Sequence, residues 1–161
     1  MESCSKSFPL VSVIIPIREP GQTPISLESL AQSSYPADRL EVLVVSGANP
    51  SAQRNFAAQS AQGDILYFID DDSVLDRRAI ETLVSAFEDH PEVSGIGGPS
   101  VGYHSKSTFR KCVGMAMASV LGFGPLRYRY YPSGCPRIAG EEKLILANFG
   151  IRNHVWRTEA G

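Results

Sequence analysis

Five apolar residues, Ile65-Leu66-Tyr67-Phe68-Ile69, run directly into three consecutive carboxylates, Asp70-Asp71-Asp72. The apolar run has the length and composition of a β-strand buried on both faces. Three like charges at the end of such a strand repel one another and resist desolvation, so water, a cation or cationic side chains must relieve them. In an extended segment Asp70 and Asp72 fall on one side, with backbones roughly 6–7 Å apart. At that spacing two carboxylates grip one hard divalent ion while a substrate phosphate completes its shell. A solvated turn with helix capping is the plainer alternative, but capping uses one carboxylate and leaves two unexplained.

The rest of the chain sorts itself around that strand. Leu10–Ile17 is a short β-branched run stopped by proline, Leu40–Val45 is a second strand, and Val93–Gly98 is a fourth. Thr23-Pro24 supplies a cap and a first-turn proline for a helix through Leu27, Leu30 and Ala31. Asn49-Pro50 repeats the signature and opens an alanine-rich helix over Ser51–Gln62, closed by Gly63. Asp76 is placed to cap a helix to about Asp89, with Leu83, Val84 and Phe87 on its apolar face. Such strand–helix alternation predicts an α/β fold, a mainly parallel, Rossmann-like sheet with helices on both faces. Ligands of such sheets sit outside the carboxyl ends of the strands, where Arg18-Glu19, Ser46-Gly47 and Asp70-Asp71-Asp72 converge.

Later in the chain the rhythm changes. Ser107–Phe123 has a helical stripe of Phe109, Val113, Met117, Val120 and Leu121, for which core packing is favoured over a membrane surface. Gly122–Arg137 reads as a long loop or edge hairpin. Its Arg127-Tyr128-Arg129-Tyr130-Tyr131 alternates cation and aromatic, which suits contact with a lipid phosphate or a sugar face, and a solvated edge strand explains it equally well. Leu144–Asn148 is a last strand candidate and His154–Glu159 a short helix.

Composition closes off several function classes. A chain of 161 residues with 43% hydrophobic and 20% charged residues builds one sizeable core. A net charge of −2 gives no electrostatic basis for nucleic acid as partner. Cys4, Cys112 and Cys135 show no CxxC spacing, so neither a disulfide framework nor a zinc site is signalled. Leu10–Ile17 is too short to span a membrane. A cytoplasmic protein is expected, the inner face of the membrane included.

Val-Ser-Val-Ile-Ile-Pro at 11–16, Pro50-Ser51-Ala52-Gln53-Arg54-Asn55, and Gly63 through Ser73 together carry a family resemblance. In this order and spacing they resemble the family 2 glycosyltransferases of the GT-A fold, closely over 10–102 and more loosely over 148–161. The resemblance implies one GT-A-like domain over 1–161, with 10–102 as the nucleotide-sugar-binding half and 103–161 as the start of the acceptor side. It implies an inverting, metal-assisted transfer of a sugar from a nucleotide-sugar to a hydroxyl of a glycan or lipid-linked acceptor, as in polysaccharide biosynthesis, with Mn2+ or Mg2+ as cofactor. Carried over by position, Asp70 and Asp72 hold the metal and diphosphate, and Asp71 the ribose. Pro16, Ile17, Glu19 and Ser46 lie around the base. Arg54, one turn inside a helix whose amino end points to the same edge, meets the diphosphate, and Asn148 approaches the donor sugar or acceptor.

Two positions depart from the family pattern. Ser46-Gly47 stands where many members carry an aspartate that pairs with uracil, which leaves the base open. Leu146 through Gly161 resembles the stretch that precedes the acidic catalytic base, so the base is expected beyond Gly161, with Glu141 and Glu142 as the weaker candidates within the chain. A non-catalytic nucleotide- or carbohydrate-binding module is the rival reading. A nucleotidyltransferase ranks below it, because Ile17-Arg18-Glu19-Pro20-Gly21 offers a single glycine for a phosphate loop.

Overall fold

The computed structural model describes residues 8–101, 107–132, 134 and 137–159. Cys4, Cys135, Ala160 and Gly161, and the side chain of Glu141, lie outside the described residues. The chain forms two compact units, Met1–Ile96 with Gly150–Gly161, and Gly97–Phe149.

Two neighbouring strands carry the core of the first unit. β1 (Val11–Ile17) and β3 (Ile65–Ile69) are buried at every residue, as near-continuous apolar runs are in strands covered on both faces, and the one polar member, Ser12, is hydrogen-bonded to Glu41 and Gly63. They run parallel, with Val11 opposite Ile65 and Ile14 opposite Phe68. β2 (Leu40–Ser46) pairs parallel on the other side of β1, from Val11 opposite Leu40 to Ile17 opposite Ser46. As the sheet edge, β2 alternates between half-buried and exposed residues.

β4 (Gly95–Gly97) and β5 (Asn148–Arg152) complete the order β2-β1-β3-β5-β4. The Asn153 N–H donates to the Asp64 carbonyl at 2.9 Å, so the end of β5 meets the start of β3. The Arg152 N–H donates to Ser94 and the Gly98 N–H to Asn148, which likewise opposes β5 to β4. The sheet is therefore mainly parallel, as expected, with β5 inserted against the common direction. This strand forms at 148–152 rather than at the more apolar Leu144–Asn148. Its register is set by Gly150, whose missing Cβ leaves room for the Leu83 side chain, and by Asn153, whose Nδ2 donates to the Gly63 carbonyl at 2.7 Å.

Side-chain alternation along β1 and β3 distributes the core over both faces. Val11, Val13, Ile15 and Ile17 cluster with Ile65, Tyr67 and Ile69, and with Leu30 of α1 (Ile25–Ala31) and Ile80, Leu83, Val84 and Phe87 of α3 (Ala79–Asp89). The alternate residues include Phe68, whose ring stacks at 5.2 Å on Trp156 of α6 (Asn153–Glu159). α2 (Pro50–Ser60) packs on β1 and buries Ala57 and Ala58. Each fully buried large side chain contributes about 1.5–3 kcal/mol through water release.

Helix starts were partly as the sequence predicts. The Asn49 Oδ1 accepts from the N–H groups of Ser51 and Ala52 at 3.1 and 3.2 Å, which is the expected cap. Thr23 does not cap α1, which begins after Pro24 with no side-chain cap bond. Asp76 closes a turn before α3, its Oδ1 accepting from the Arg78 N–H at 2.9 Å. Nor does Gly63 cap α2, which ends at Ser60 with Ala61 extended. Gly63 serves close approach instead: a Cβ there would lie 2.6 Å from both the backbone nitrogen and Oγ of Ser12.

The second unit holds α4 (Thr108–Ala118), α5 (Val120–Phe123) and the 3₁₀ helices Gly124–Arg129 and Glu141–Lys143. The single helix expected over 107–123 is broken at Ser119, which is extended and accepts at Oγ from the Gly122 N–H. The break takes Val120 and Leu121 off the stripe of Phe109 and Val113. Instead of packing in a core, Phe109 is 77% and Leu121 100% exposed. Gly124–Arg129, expected as loop or hairpin, coils into its 3₁₀ helix around Pro125. No helix among the described residues is long and apolar enough to cross a membrane.

Candidate functional site

Parallel strands end their backbones together, and three of those ends frame a pocket of about 420 Å³. β1 contributes Pro16 and Ile17, the turn after β2 contributes Gly47 and Ala48, α2 contributes Gln53 and Arg54, and the segment after β3 contributes Asp70 and Asp71. This is the edge at which open α/β sheets bind ligands.

A larger hollow of about 700 Å³ lies at the opposite end, between Pro9, Asp64, Glu88 and Arg152. Several of its polar groups are already committed. Asp64 accepts from the Leu10 N–H, Arg152 donates to the carbonyls of Phe87, His90 and Val93, and Arg157 donates to Ala61. Size alone does not make it the site.

The three aspartates are not extended. Asp70 to Ser73 form a turn in which the Ser73 N–H donates to the Asp70 carbonyl at 3.2 Å, so the same-side spacing of an extended segment does not apply to Asp70 and Asp72. The Arg54 Nη2 lies 2.6 Å from the Asp70 Oδ1, with the arginine side chain 12% and the aspartate 40% exposed. One cation thus relieves one member of the triad directly. Asp71 is tethered to α1 and the loop before it: its carbonyl accepts from the Ser26 N–H, and its Oδ2 from the Gln22 Nε2 at 3.1 Å. Asp72 is exposed. The Arg54 Nε is buried without a partner among the described residues.

The other sequence-selected residues distribute unevenly. Pro16, Ile17, Arg54, Asp70 and Asp71 meet at the pocket. Ser46 ends β2 exposed and Glu19 is exposed on the loop after β1; neither lines the pocket, and Gly47 takes the place next to Ser46. Asn148 belongs to the second unit, where its Nδ2 lies 3.4 Å from the Pro99 carbonyl. Glu142 is there too, its carbonyl accepting from Arg129 and its carboxylate 3.9 Å from Lys143.

Sequence reading passed over Gln53 and Gln22. The first had a signal: a glutamine four residues before the buried Ala57 stands on the inward face of an alanine-rich helix. Gln22, on an irregular loop, had none.

A family model for glycosyl transferase family 2 matches residues 23–135, more than half of the chain. The chain belongs to glycosyl transferase family 2. No curated protein sequence matches it. Among solved structures, this family 2 chain is similar to the mannosyltransferase PcManGT from Pyrobaculum calidifontis in complex with GDP-Man and Mn2+. That match has a TM-score of 0.59 and 19% identity, over 97% of this chain and 48% of the other. It is also similar to TarS 1-349 of S. aureus, with a TM-score of 0.55 and 13% identity over 94% of this chain and 49% of the other. TarS 1-349 has also been solved in complex with UDP-GlcNAc, a match at 14% identity and a TM-score of 0.53 over 94% of this chain and 47% of the other. These likenesses establish the fold, that of the GT-A glycosyltransferases, and the chain spans about half the length of the structures it matches.

Proposed function

We propose that this family 2 chain binds a nucleotide-sugar and a divalent cation, as the donor side of an enzyme that transfers the sugar to a hydroxyl with inversion. The observation that carries the reading is the pocket at the ends of β1, β2 and β3, walled by backbone on one side and by Arg54, Asp70 and Asp71 on the other. Similar structures hold GDP-Man with Mn2+, and UDP-GlcNAc, which supports a donor of this class.

The residues present fit a hard divalent ion. The described side chains form no cluster of three metal-ligating groups. Mg2+-type sites, however, draw one or two carboxylates from protein and the remaining oxygens from water and substrate phosphate. Asp70 keeps its Oδ2 clear of Arg54, and Asp72 is exposed, so these two are the protein ligands. When bound, Mn2+ or Mg2+ neutralises the charge that builds on the departing diphosphate.

Arg54 steers the Asp70 carboxylate and adds a fixed positive charge beside the diphosphate. Asp71 receives the ribose, and Pro16 and Ile17 flank the base, with Ser46 and Glu19 at its outer rim. In the transfer, the acceptor oxygen bonds to the anomeric carbon as the bond to the diphosphate oxygen breaks. The hydroxyl proton passes to a carboxylate base that we place outside the donor pocket. Asn148 serves the sugar or acceptor, and the acceptor is a glycan or a lipid-linked molecule reached at a membrane surface.

Asp72→Asn tests the reading. It abolishes metal-dependent nucleotide-sugar binding measured by calorimetry and leaves the circular dichroism spectrum unchanged. Unchanged affinity in that variant removes Asp72 from the site.

A further inference from the structure

Gln53 is buried, 6% exposed, on an otherwise alanine-rich face of α2. Its Nε2 donates to the carbonyl of Ile17, the last residue of β1, at 2.8 Å, and to the carbonyl of Val45 near the end of β2. An amide has two N–H hydrogens, and both are taken by carbonyls. Those two acceptors also fix which end of the amide is nitrogen. The Gly47 N–H donates to the same Ile17 carbonyl at 3.0 Å. Gly47 itself lies flat on the amide, since a Cβ there would stand 3.2 Å from Gln53 Cγ and 3.3 Å from Cδ.

One side chain therefore joins three elements at the wall of the pocket that Ile17, Gly47 and Gln53 all line. The strand-end carbonyls account for the nitrogen. They leave Oε1, which accepts from no described residue. Gln53 Oε1 is not one of the fully buried orphan atoms, and its residue lines the pocket, so this oxygen is open to water or to a ligand there.

We infer that Gln53 is a specificity-determining residue of the donor pocket, its Oε1 held by the two carbonyls to accept a ring N–H from the nucleobase. This rests on the donor-pocket reading above and goes beyond it by naming the class of base. Uracil and guanine carry a ring N–H on their pairing edge. Cytosine and adenine carry a lone pair there, which a fixed acceptor repels.

The test is calorimetric binding of UDP, CDP, GDP and ADP with Mn2+ to the wild-type chain, Gln53→Met and Gly47→Ala. UDP and CDP have the same size and diphosphate and differ on the edge in question. Wild type prefers UDP to CDP, or GDP to ADP, by about tenfold or more, as expected for a site built around one hydrogen bond. Gln53→Met brings that ratio to within about threefold while its affinity for inorganic diphosphate with Mn2+ holds within about twofold of wild type. Gly47→Ala, which sets a Cβ against the amide at a backbone φ of 159° that side chains rarely adopt, lowers the ratio in the same direction where circular dichroism shows it folded, and Gln53→Leu covers the case in which Gln53→Met does not fold. A purely structural glutamine weakens all four nucleotides together and leaves the ratio alone. An unchanged ratio in the folded variants, or a wild-type preference for CDP and ADP, overturns the role of Gln53 only. No nucleotide binding by wild type overturns the donor-pocket reading with it.

Discussion

The ion pair between Arg54 and Asp70 gives the sharpest energetic prediction. Its N–O contact of 2.6 Å joins a guanidinium that is 12% exposed to a carboxylate that is 40% exposed. With charge centres roughly 4 Å apart, the gross attraction is about 4 kcal/mol at an effective dielectric constant near 20. Desolvation of the arginine opposes this, and water at the exposed carboxylate screens it. A net coupling of about 1–2 kcal/mol follows, above the range of surface pairs and below that of fully buried ones. The two single changes are unequal. Asp70→Asn strands a guanidinium whose Nε already has no partner among the described residues, and costs about 2–3 kcal/mol. Arg54→Met leaves a carboxylate that water reaches, and costs about 1–2 kcal/mol. Urea unfolding of wild type, both single variants and the double variant closes the cycle. A coupling below about 0.5 kcal/mol, or Arg54→Met costing more than Asp70→Asn, refutes the assignment of Arg54 as the partner that holds Asp70.

Two further outcomes follow from the packing and the phenols. Gly63→Ala puts a Cβ 2.6 Å from the Ser12 nitrogen and 2.9 Å from the Leu10 carbonyl. Backbone atoms cannot swing aside, so the change costs about 2 kcal/mol or more in urea unfolding, and a neutral result contradicts the close approach of this segment to β1. Burial, with a smaller contribution from the Glu88 carboxylate, pushes the Tyr35 phenol from 10.0 up to about 12, while its hydroxyl donates to the Pro9 carbonyl at 2.6 Å. Burial moves Tyr67 upward too. The folded chain then holds these protons more tightly than the unfolded chain, so their contribution is full below pH 10 and is lost as pH rises toward 12. Tyr128 goes the other way, lowered from 10.0 to about 8 by hydrogen bonds from Arg137 and Arg127. Its contribution is present above pH 10 and fades as pH falls through 8. Ultraviolet titration of tyrosinate shows an early Tyr128 phenol that Tyr128→Phe removes, and Arg137→Ala moves that phenol back upward; a single common transition for all tyrosines contradicts both environments.

Much of the fold was legible because its strands are extreme. β1, apolar but for Ser12, and β3, apolar throughout, read as strands central to a sheet covered on both faces, and the Asn49-Pro50 signature sets the start of α2 by local chemistry alone. β5 was misplaced because Asn148–Arg152 has no strand-like run. Its register depends on a glycine making room for Leu83 and on Asn153 reaching Gly63 across 90 residues, contacts that no local pattern encodes. The break at Ser119 was hidden by a periodic stripe that continues through it. At the site, the sequence brought Pro16, Ile17, Arg54, Asp70 and Asp71 to one edge. It missed the turn over Asp70–Ser73, since a turn and a strand end read alike when Asp follows Asp. Gln53 escaped notice because its partners are backbone carbonyls, which leave no trace in side-chain composition.

The central claim is that the edge carrying Asp70, Asp71 and Asp72 holds a nucleotide-sugar through a shared metal ion. Calorimetric titration of the wild-type chain with GDP-sugars and UDP-sugars, in Mn2+ and then after chelation, tests it most directly. The account predicts saturable binding in Mn2+ that weakens by about tenfold or more when the metal is removed, since each lost charge-assisted contact is worth about 1.5–3 kcal/mol. Binding of equal strength with and without metal, or no binding in either condition, contradicts it.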